Sequence, residues 1–364
     1  MSQTSTKIDS AELTTMKDVV TEFSVANSDD EIMTWTPEWK RWKGYYDTIP
    51  ELQAVINKKA EYVIGKGYKI KGILNKLTNQ IQQMLRISGA GIDSFNSVIR
   101  NTYVQAQICG DGFAEKVKDK AGRIINLKPL CPGAMTTFAN SKGIIVGYAH
   151  ETKSLDGTKV RYETFSTDEI FHLIRNRLGD AIHGIGCIEV VENIILMRNE
   201  AMSDLKIVFH RYVKPLIVAI ANTDDEAEIL AFKNKLTKSV ENAENMVIPK
   251  DTIDKFERIS IPQYSTLDPL PWIKELQTHF TISEGVPDVI LGSGRETTEA
   301  SAKMLYVGFQ QTTENDQFWL EENIFIQLGW KVEFEFPASI LDNLKSDERK
   351  DGNMKGEKRS EVKP

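Results

Sequence analysis

The sequence predicts an α+β protein: mixed helices and short strands first, then long helices with a small separate unit set between them. Three observations predict it. Between residues 111 and 174, short alternating runs are divided by turn strings such as "DKAG" and "NSKG", the pattern of β-hairpins. From Ile188 to Tyr212 there is neither Gly nor Pro, and apolar residues recur at helical spacing. Residues 214–262 then read strand, helix, strand, strand, a βαββ unit bounded by prolines.

Residues 1–30 are polar and rich in Ser and Thr, and are expected to form a flexible N-terminal arm. In "TWTPEWKRWKGYYDTIPEL", Thr36 is placed to cap a helix that begins at Pro37. Trp35, Trp39, Trp42 and Tyr46 recur at helical spacing among Lys40, Arg41 and Lys43. Such a stretch can stack on bases, but an aromatic core face with a solvated basic edge is the expected reading. "IPELQAVINKKAEYVIG" and residues 92–108 are amphipathic helices, the first stopped near Gly65 and Gly67. "GFAEKVKDKAGRIINLKPL" and "AMTTFANSKGIIVGYAHE" are hairpins, and "KVRYETF" and "EIFHLI" continue the strands. The Ile188–Tyr212 helix would span about 37 Å and stops before Pro215. In the βαββ unit, "PLIVAIA", "NMVIP" and "FERISI" are the strands. The helix between the first two carries acids in its first turn and lysines later, as the helix dipole favours. A second long helix runs to Gly285, and a third from Glu299 to Leu328. "WKVEFEF" closes as a strand, and the charged residues 337–364 read as a disordered tail.

The chain has 364 residues, 41% hydrophobic and 27% charged, with net charge −7. An acidic balance argues against a protein that coats nucleic acid. Cys109, Cys131 and Cys187 lack CxxC spacing and read as free thiols. The N-terminus has no apolar segment of a secretory signal, and no run is long enough to span a membrane, so no membrane partner is expected.

The string "VILGSGRETTEASAK", residues 289–303, is the most suggestive local motif. A glycine turn feeding a helix can cradle phosphate. Yet Thr297 stands where a dinucleotide fingerprint needs its third Gly, and no Lys-Ser or Lys-Thr pair follows. A loop between helices is expected instead, with Thr297 or Thr298 capping the next helix beside Glu299. Asp168, His172, Asp180 and His183 form no compact ligand set. The acid pairs Glu321–Glu322 and Asp224–Asp225 read as solvated charge. No catalytic constellation, cofactor site or metal site is expected.

The order of segments, with several strings, resembles the portal proteins of tailed double-stranded DNA viruses. The strings are "DGF" at 111–113 followed by "LKPLCPGAM", "GIIVGY" at 143–148, "DEIFHL" at 168–173 and "GIGCIEVV" at 184–191. "VKPLIVAI" at 213–220, "NMVIP" at 245–249 and "EGVPDVILG" at 284–292 complete the set. The resemblance covers roughly residues 35–335 and rests on order and spacing. It implies a portal fold: a mixed α/β wing (31–185 and 299–336), a two-helix stem (186–213 and 263–289), a clip (214–262) and a tunnel loop (290–298), with a reduced or absent crown. It implies a non-enzymatic ring of twelve subunits at one capsid vertex, through which DNA is packaged and ejected. The implied partners are the major capsid protein, the terminase large subunit and a head-completion or adaptor protein.

At the bore, the resemblance points to Gly292, Ser293, Gly294, Arg295, Glu296, Thr297, Thr298 and Lys303, with Arg295 as the basic ring. Glu189, Arg198, Glu200 and Lys206 are the stem candidates. An acidic wall with a few basic rings lets a duplex slide, touching backbone charge rather than bases. Another ring-forming virion adaptor, a head–tail connector or baseplate component, is the alternative; the stem–clip–stem–loop order is what a small adaptor lacks.

Overall fold

The computed structural model describes residues 15–26, 32–65, 67–70, 94–153, 160–213, 216–221, 223–242, 253–259, 269–292 and 298–337. The chain divides into two compact units: residues 1–192 with 280–364, and residues 193–279.

The first unit is layered, and its strands explain why. The elements are α1 (Met16–Ala26), β1 (Met33–Trp35), α2 (Trp39–Thr48), α3 (Pro50–Ile64), β2 (Tyr68–Ile70) and α4 (Phe95–Cys109). Then come β3 (Asp111–Lys118), β4 (Ile124–Leu130), β5 (Met135–Ala139), β6 (Ile145–Lys153), β7 (Val160–Phe165) and β8 (Ile170–Ile174). Successive residues of a strand face opposite sides. On β3, Ala114 enters a core with Ala60, Val63, Val98, Tyr103, Leu320 and Ile324, while Phe113 enters one with Leu130, Met135, Tyr148 and Phe165. Helices therefore cover one face of the sheet β4-β3-β8, and the sheet β1-β5-β6-β7 covers the other. That is why β3 is almost wholly buried rather than half exposed.

Burial on both faces catches Lys116, which is 6% exposed. Burial, reinforced by Lys118, pulls its ammonium down from 10.5 to about 8. Below about pH 8 the lysine is charged folded and unfolded, so its desolvation cost is fully present. As pH rises toward 10.5 the folded form has shed its proton and the unfolded form has not, so the cost is relieved and stability rises. Lys116→Met is thus expected to raise Tm at pH 7 and flatten the rise between pH 8 and 10 in thermal scans. An unchanged or lower Tm at pH 7 would count against this reading.

Several local expectations are corrected. Within residues 1–30, Met16–Ala26 form a helix docked on the second sheet, with Val19 and Phe23 buried against Phe138 and Ala149. Phe23 stacks on Phe138 at a centroid distance of 4.6 Å; those two apolar residues on one helical face outweigh the polar composition. Thr36 and Pro37 do not start a helix. Trp35 ends a strand paired with β5, Thr36 bonds Thr136 at 2.8 Å, and α2 begins at Trp39. Strand pairing takes the residues that a purely local reading assigns to the helix cap. Trp42 is buried, whereas Trp35 stacks on His183, so the four aromatics do not form one helical face. Glu321 is not merely solvated, since its Oε1 accepts the Phe334 N–H at 2.6 Å.

Chain order does not set strand order. β8 pairs with β3, not with β7, and β11 (Val332–Phe334) pairs with the distant β2. The open edge of β8 is closed by a side chain: Gln327 accepts the His172 N–H at 2.9 Å and donates to its carbonyl at 2.8 Å.

The long helix expected from Ile188 is interrupted. α5 (Cys187–Val190) ends at Val191, and α6 (Glu192–Val213) follows. The second unit holds most of α6, then β9 (Leu216–Ala221), α7 (Glu226–Asn242), β10 (Ile253–Ile259) and the first part of α8 (Pro269–Glu284). β9 and β10 are antiparallel, Leu216 opposite Ile259. The start of α7 is capped by Asp225, whose Oδ1 accepts the Ala227 N–H. The strand expected at 245–249 and the tail from 338 lie outside the described residues. Among the described residues, no helix is long and apolar enough to cross a membrane.

Candidate functional site

The loop flagged by its glycines lies between α9 (Asp288–Leu291) and α10 (Glu299–Leu328). Gly292 stops α9 in the left-handed region, φ +86°. Ser293, Gly294, Arg295, Glu296 and Thr297 lie outside the described residues. Thr298 is the cap of α10, its hydroxyl accepting the Ser301 N–H at 3.3 Å. Lys303 pairs with Glu299 one turn away at 2.7 Å, and its hydrogen bond holds the Glu299 carboxyl below the ordinary range.

Both ends of this loop are rooted in the first unit. After α8, Gly285 turns the chain with φ +64°, and the Val286 N–H returns to the Thr281 carbonyl at 3.0 Å. Val286 is buried against Val55 of α3 and Phe309 of α10, with Tyr62, Ile290 and Leu291 beside them.

Four charged residues lie below these roots. Arg175 reaches Glu284 Oε2 at 3.2 Å and Asp316 Oδ2 at 3.6 Å. Lys59 reaches Asp316 Oδ2 at 3.3 Å and the Glu284 backbone carbonyl at 3.2 Å. Tyr103 donates to Asp316 at 2.8 Å and accepts from Arg175 at 3.2 Å. With its amide oriented to satisfy both ends, Gln107 donates to the Glu284 carboxylate. The Glu284 side chain is fully buried and that of Lys59 is 1% exposed.

Burial works against the Arg175 charge, yet Glu284, Tyr103 and Asp316 hold its pKa above the ordinary arginine value. Burial, then the Glu284 charge, push the Cys187 thiol well up, so this cysteine is an inert thiol rather than a nucleophile. Two cations against two carboxylates make the cluster neutral, which is how buried charge is tolerated.

Sequence reasoning missed this cluster, although a signal was present. Lys59 sits one turn from both Val55 and Val63; Asp316 falls between Thr313 and Leu320; Glu284 follows Phe280 by one turn. Each is a charge at a position where the helical period calls for an apolar residue. The strings "DGF" and "GIGC" also meet: Asp111 Oδ1 accepts the Gly184 N–H at 3.1 Å and lies 3.0 Å from His172 Nε2. Gly184 allows this approach, because a Cβ there would lie 2.3 Å from the Gly110 carbonyl oxygen. His172 Nδ1 lies 3.1 Å from the Tyr148 hydroxyl, so both ring nitrogens are occupied by buried partners.

The four stem candidates do not share a face. At about 100° per residue, Arg198 and Glu200 point about 160° apart. Arg198 joins Val191, Ile195 and Leu205 on the less exposed side, while Glu200 and Lys206 are exposed. Glu189 is exposed on the separate helix α5. The start of α6 is tied to α2, where Arg41 pairs with Glu192 and Tyr45 donates to it at 3.3 Å. Part of the aromatic–basic stretch thus supports structure. Among the described residues, no group of three or more His, Cys, Asp or Glu is placed to hold a metal.

A mixed α/β unit, interrupted by an excursion through two long helices that carry a small β-α-β module, defines a portal-type assembly protein. A family profile described as Phage portal protein matches residues 69–312, and the chain belongs to that family. The fold is shared with the neck of a native gene transfer agent particle computed with C12 symmetry (TM-score 0.63, 15% identity, 89% of this chain and 91% of that one). It is shared also with an HK97 family phage portal protein from Corynebacterium diphtheriae (TM-score 0.53, 13% identity, 82% and 97%). No curated protein matches.

Proposed function

We propose that this chain assembles into a ring at one vertex of a virion and lines the channel through which double-stranded DNA is packaged and ejected. The observation that carries the reading is the order wing, helix, inserted module, helix, loop, helix, within a chain whose residues 69–312 match the portal family. The twelvefold symmetry of a neck with the same fold favours a ring of twelve.

Surface chemistry favours self-association. Met304, Phe318 and Ile326 of α10 are 78%, 62% and 78% exposed, and Leu196, Ile207 and Phe209 of α6 are also open. Exposed apolar patches mark interaction surfaces, and a ring of head-to-tail contacts needs two different faces per subunit.

In this reading residues 290–298 form the tunnel loop, and Arg295 touches passing phosphate without reading sequence. Glu189, Arg198, Glu200 and Lys206 are the stem charges proposed for the bore. The 214–262 module docks the terminase large subunit and later the head-completion protein, while the wing meets the major capsid protein. Assembly takes place in the host cytoplasm.

Negative-stain images of purified protein should show rings with a central hole; monomers or closed dimers at high concentration would sink the proposal. Arg295→Ala should leave rings intact and lower packaged or retained DNA several-fold. Normal packaging by that variant would remove Arg295 from the channel mechanism.

A further inference from the structure

We propose that Arg175 and Lys59 form a two-cation clamp that ties the end of α8, before the tunnel loop, to the middle of α10, after it; its functional meaning rests on the portal reading above. The carboxylate of Glu284 precedes the loop and that of Asp316 follows it. Both belong to one cluster: Arg175 reaches Glu284 at 3.2 Å and Asp316 at 3.6 Å, while Lys59 reaches Asp316 at 3.3 Å and the Glu284 carbonyl at 3.2 Å. The chain that leaves through α5 starts at the same place, since the Cys187 thiol lies beside the Glu284 carboxylate. One cluster, buried at Glu284 and Lys59 and partly open at Arg175 and Asp316, therefore holds the departure of the excursion, its return and the helix after the loop.

The choice of charge over apolar packing is what points to positioning. A buried ionic cluster contributes little net stability compared with well-packed apolar residues. Its hydrogen bonds do fix distance and direction, which apolar contacts leave freer. The apolar roots above it are thin: Val55, Val286 and Phe309 are the buried members of that group. The first ten residues of α10 are exposed or half-buried; the helix first enters the core at Phe309, two turns before Asp316. Arg175 and Lys59 act on the loop only through Glu284 and Asp316, as positioning residues.

The test is the double substitution Arg175→Met with Glu284→Leu in the full-length assembled protein. It removes one cation and one anion, leaving Lys59 and Asp316 as a neutral pair. Hydrogen–deuterium exchange is read at peptides spanning 285–292 and 309–320, with 124–139, which holds no member of the cluster, as the internal control. The expected result is at least a tenfold faster exchange at both roots and no change over 124–139. Unchanged roots would overturn the clamp, and so would an equal rise over 124–139, which is the signature of a merely structural role. Glu284→Gln, which keeps size and shape but leaves two cations on one carboxylate, gives the same pattern at least as strongly and decides the matter if the double variant does not fold. Loss of the fold in both variants would also overturn it. DNA packaging is scored separately: loosened roots with normal packaging would leave the clamp standing and sink the channel reading of the loop.

Discussion

Phe318→Asp combined with Ile326→Asp is expected to leave a folded chain that no longer assembles. Both side chains stand on the face of α10 opposite the buried Phe309, Thr313, Leu320 and Ile324, and both are more than half exposed. Substitutions that touch no core contact usually shift stability by no more than about 0.5 kcal/mol, so circular dichroism and Tm should stay near those of the parent. Assembly is another matter. Covering an aromatic or large aliphatic side chain is worth about 1.5–3 kcal/mol, and an aspartate placed there must be desolvated without a partner. The loss recurs at every subunit contact. Sedimentation velocity should show the ring replaced by monomer. Rings of unchanged mass would show that this face of α10 lies outside the subunit interface.

Glu284→Ala alone is expected to cost about 3–5 kcal/mol, the range for breaking a buried pair by removing one partner. It leaves two cations, Arg175 and Lys59, with a single carboxylate, Asp316, and strips Gln107 of its acceptor. Arg175 cannot escape by losing its proton. Neutral loss of a cation and an anion together should cost far less, so the single and double variants are strongly non-additive. Denaturant melts of the parent, Glu284→Ala and the Arg175→Met/Glu284→Leu protein measure this directly. A loss below about 1 kcal/mol for Glu284→Ala would mean that water reaches the cluster and the charges are not confined.

Much of the local structure was legible. Thr298 caps a helix by accepting an N–H three residues on. Gly65 closes a helix at positive φ, and the hairpins turn at "DKAG" and "NSKG". These depend on residues within a few positions of one another. The site was less legible. The loop's cap and its Lys303 could be picked out, but Lys59, Arg175, Glu284 and Asp316 were each an unremarked charge within an amphipathic or alternating run. Nothing local tells a lysine that snorkels to solvent from one that meets an aspartate far along the chain.

The sequence by itself determined the helices and hairpins of the middle of the chain and the order of segments that marks a portal, because backbone sterics, capping and hydrophobic period act over a few residues. Tertiary structure alone decided that β8 joins β3, that β2 waits for β11, that a polar N-terminal segment docks as α1, and that the long helix breaks at Val191. It also decided that two carboxylates on either side of the loop share two cations. Those outcomes turn on which surfaces are left to cover and which buried charges find partners, and a strand edge or a buried carboxylate is satisfied by whatever the fold brings beside it, at any distance along the chain.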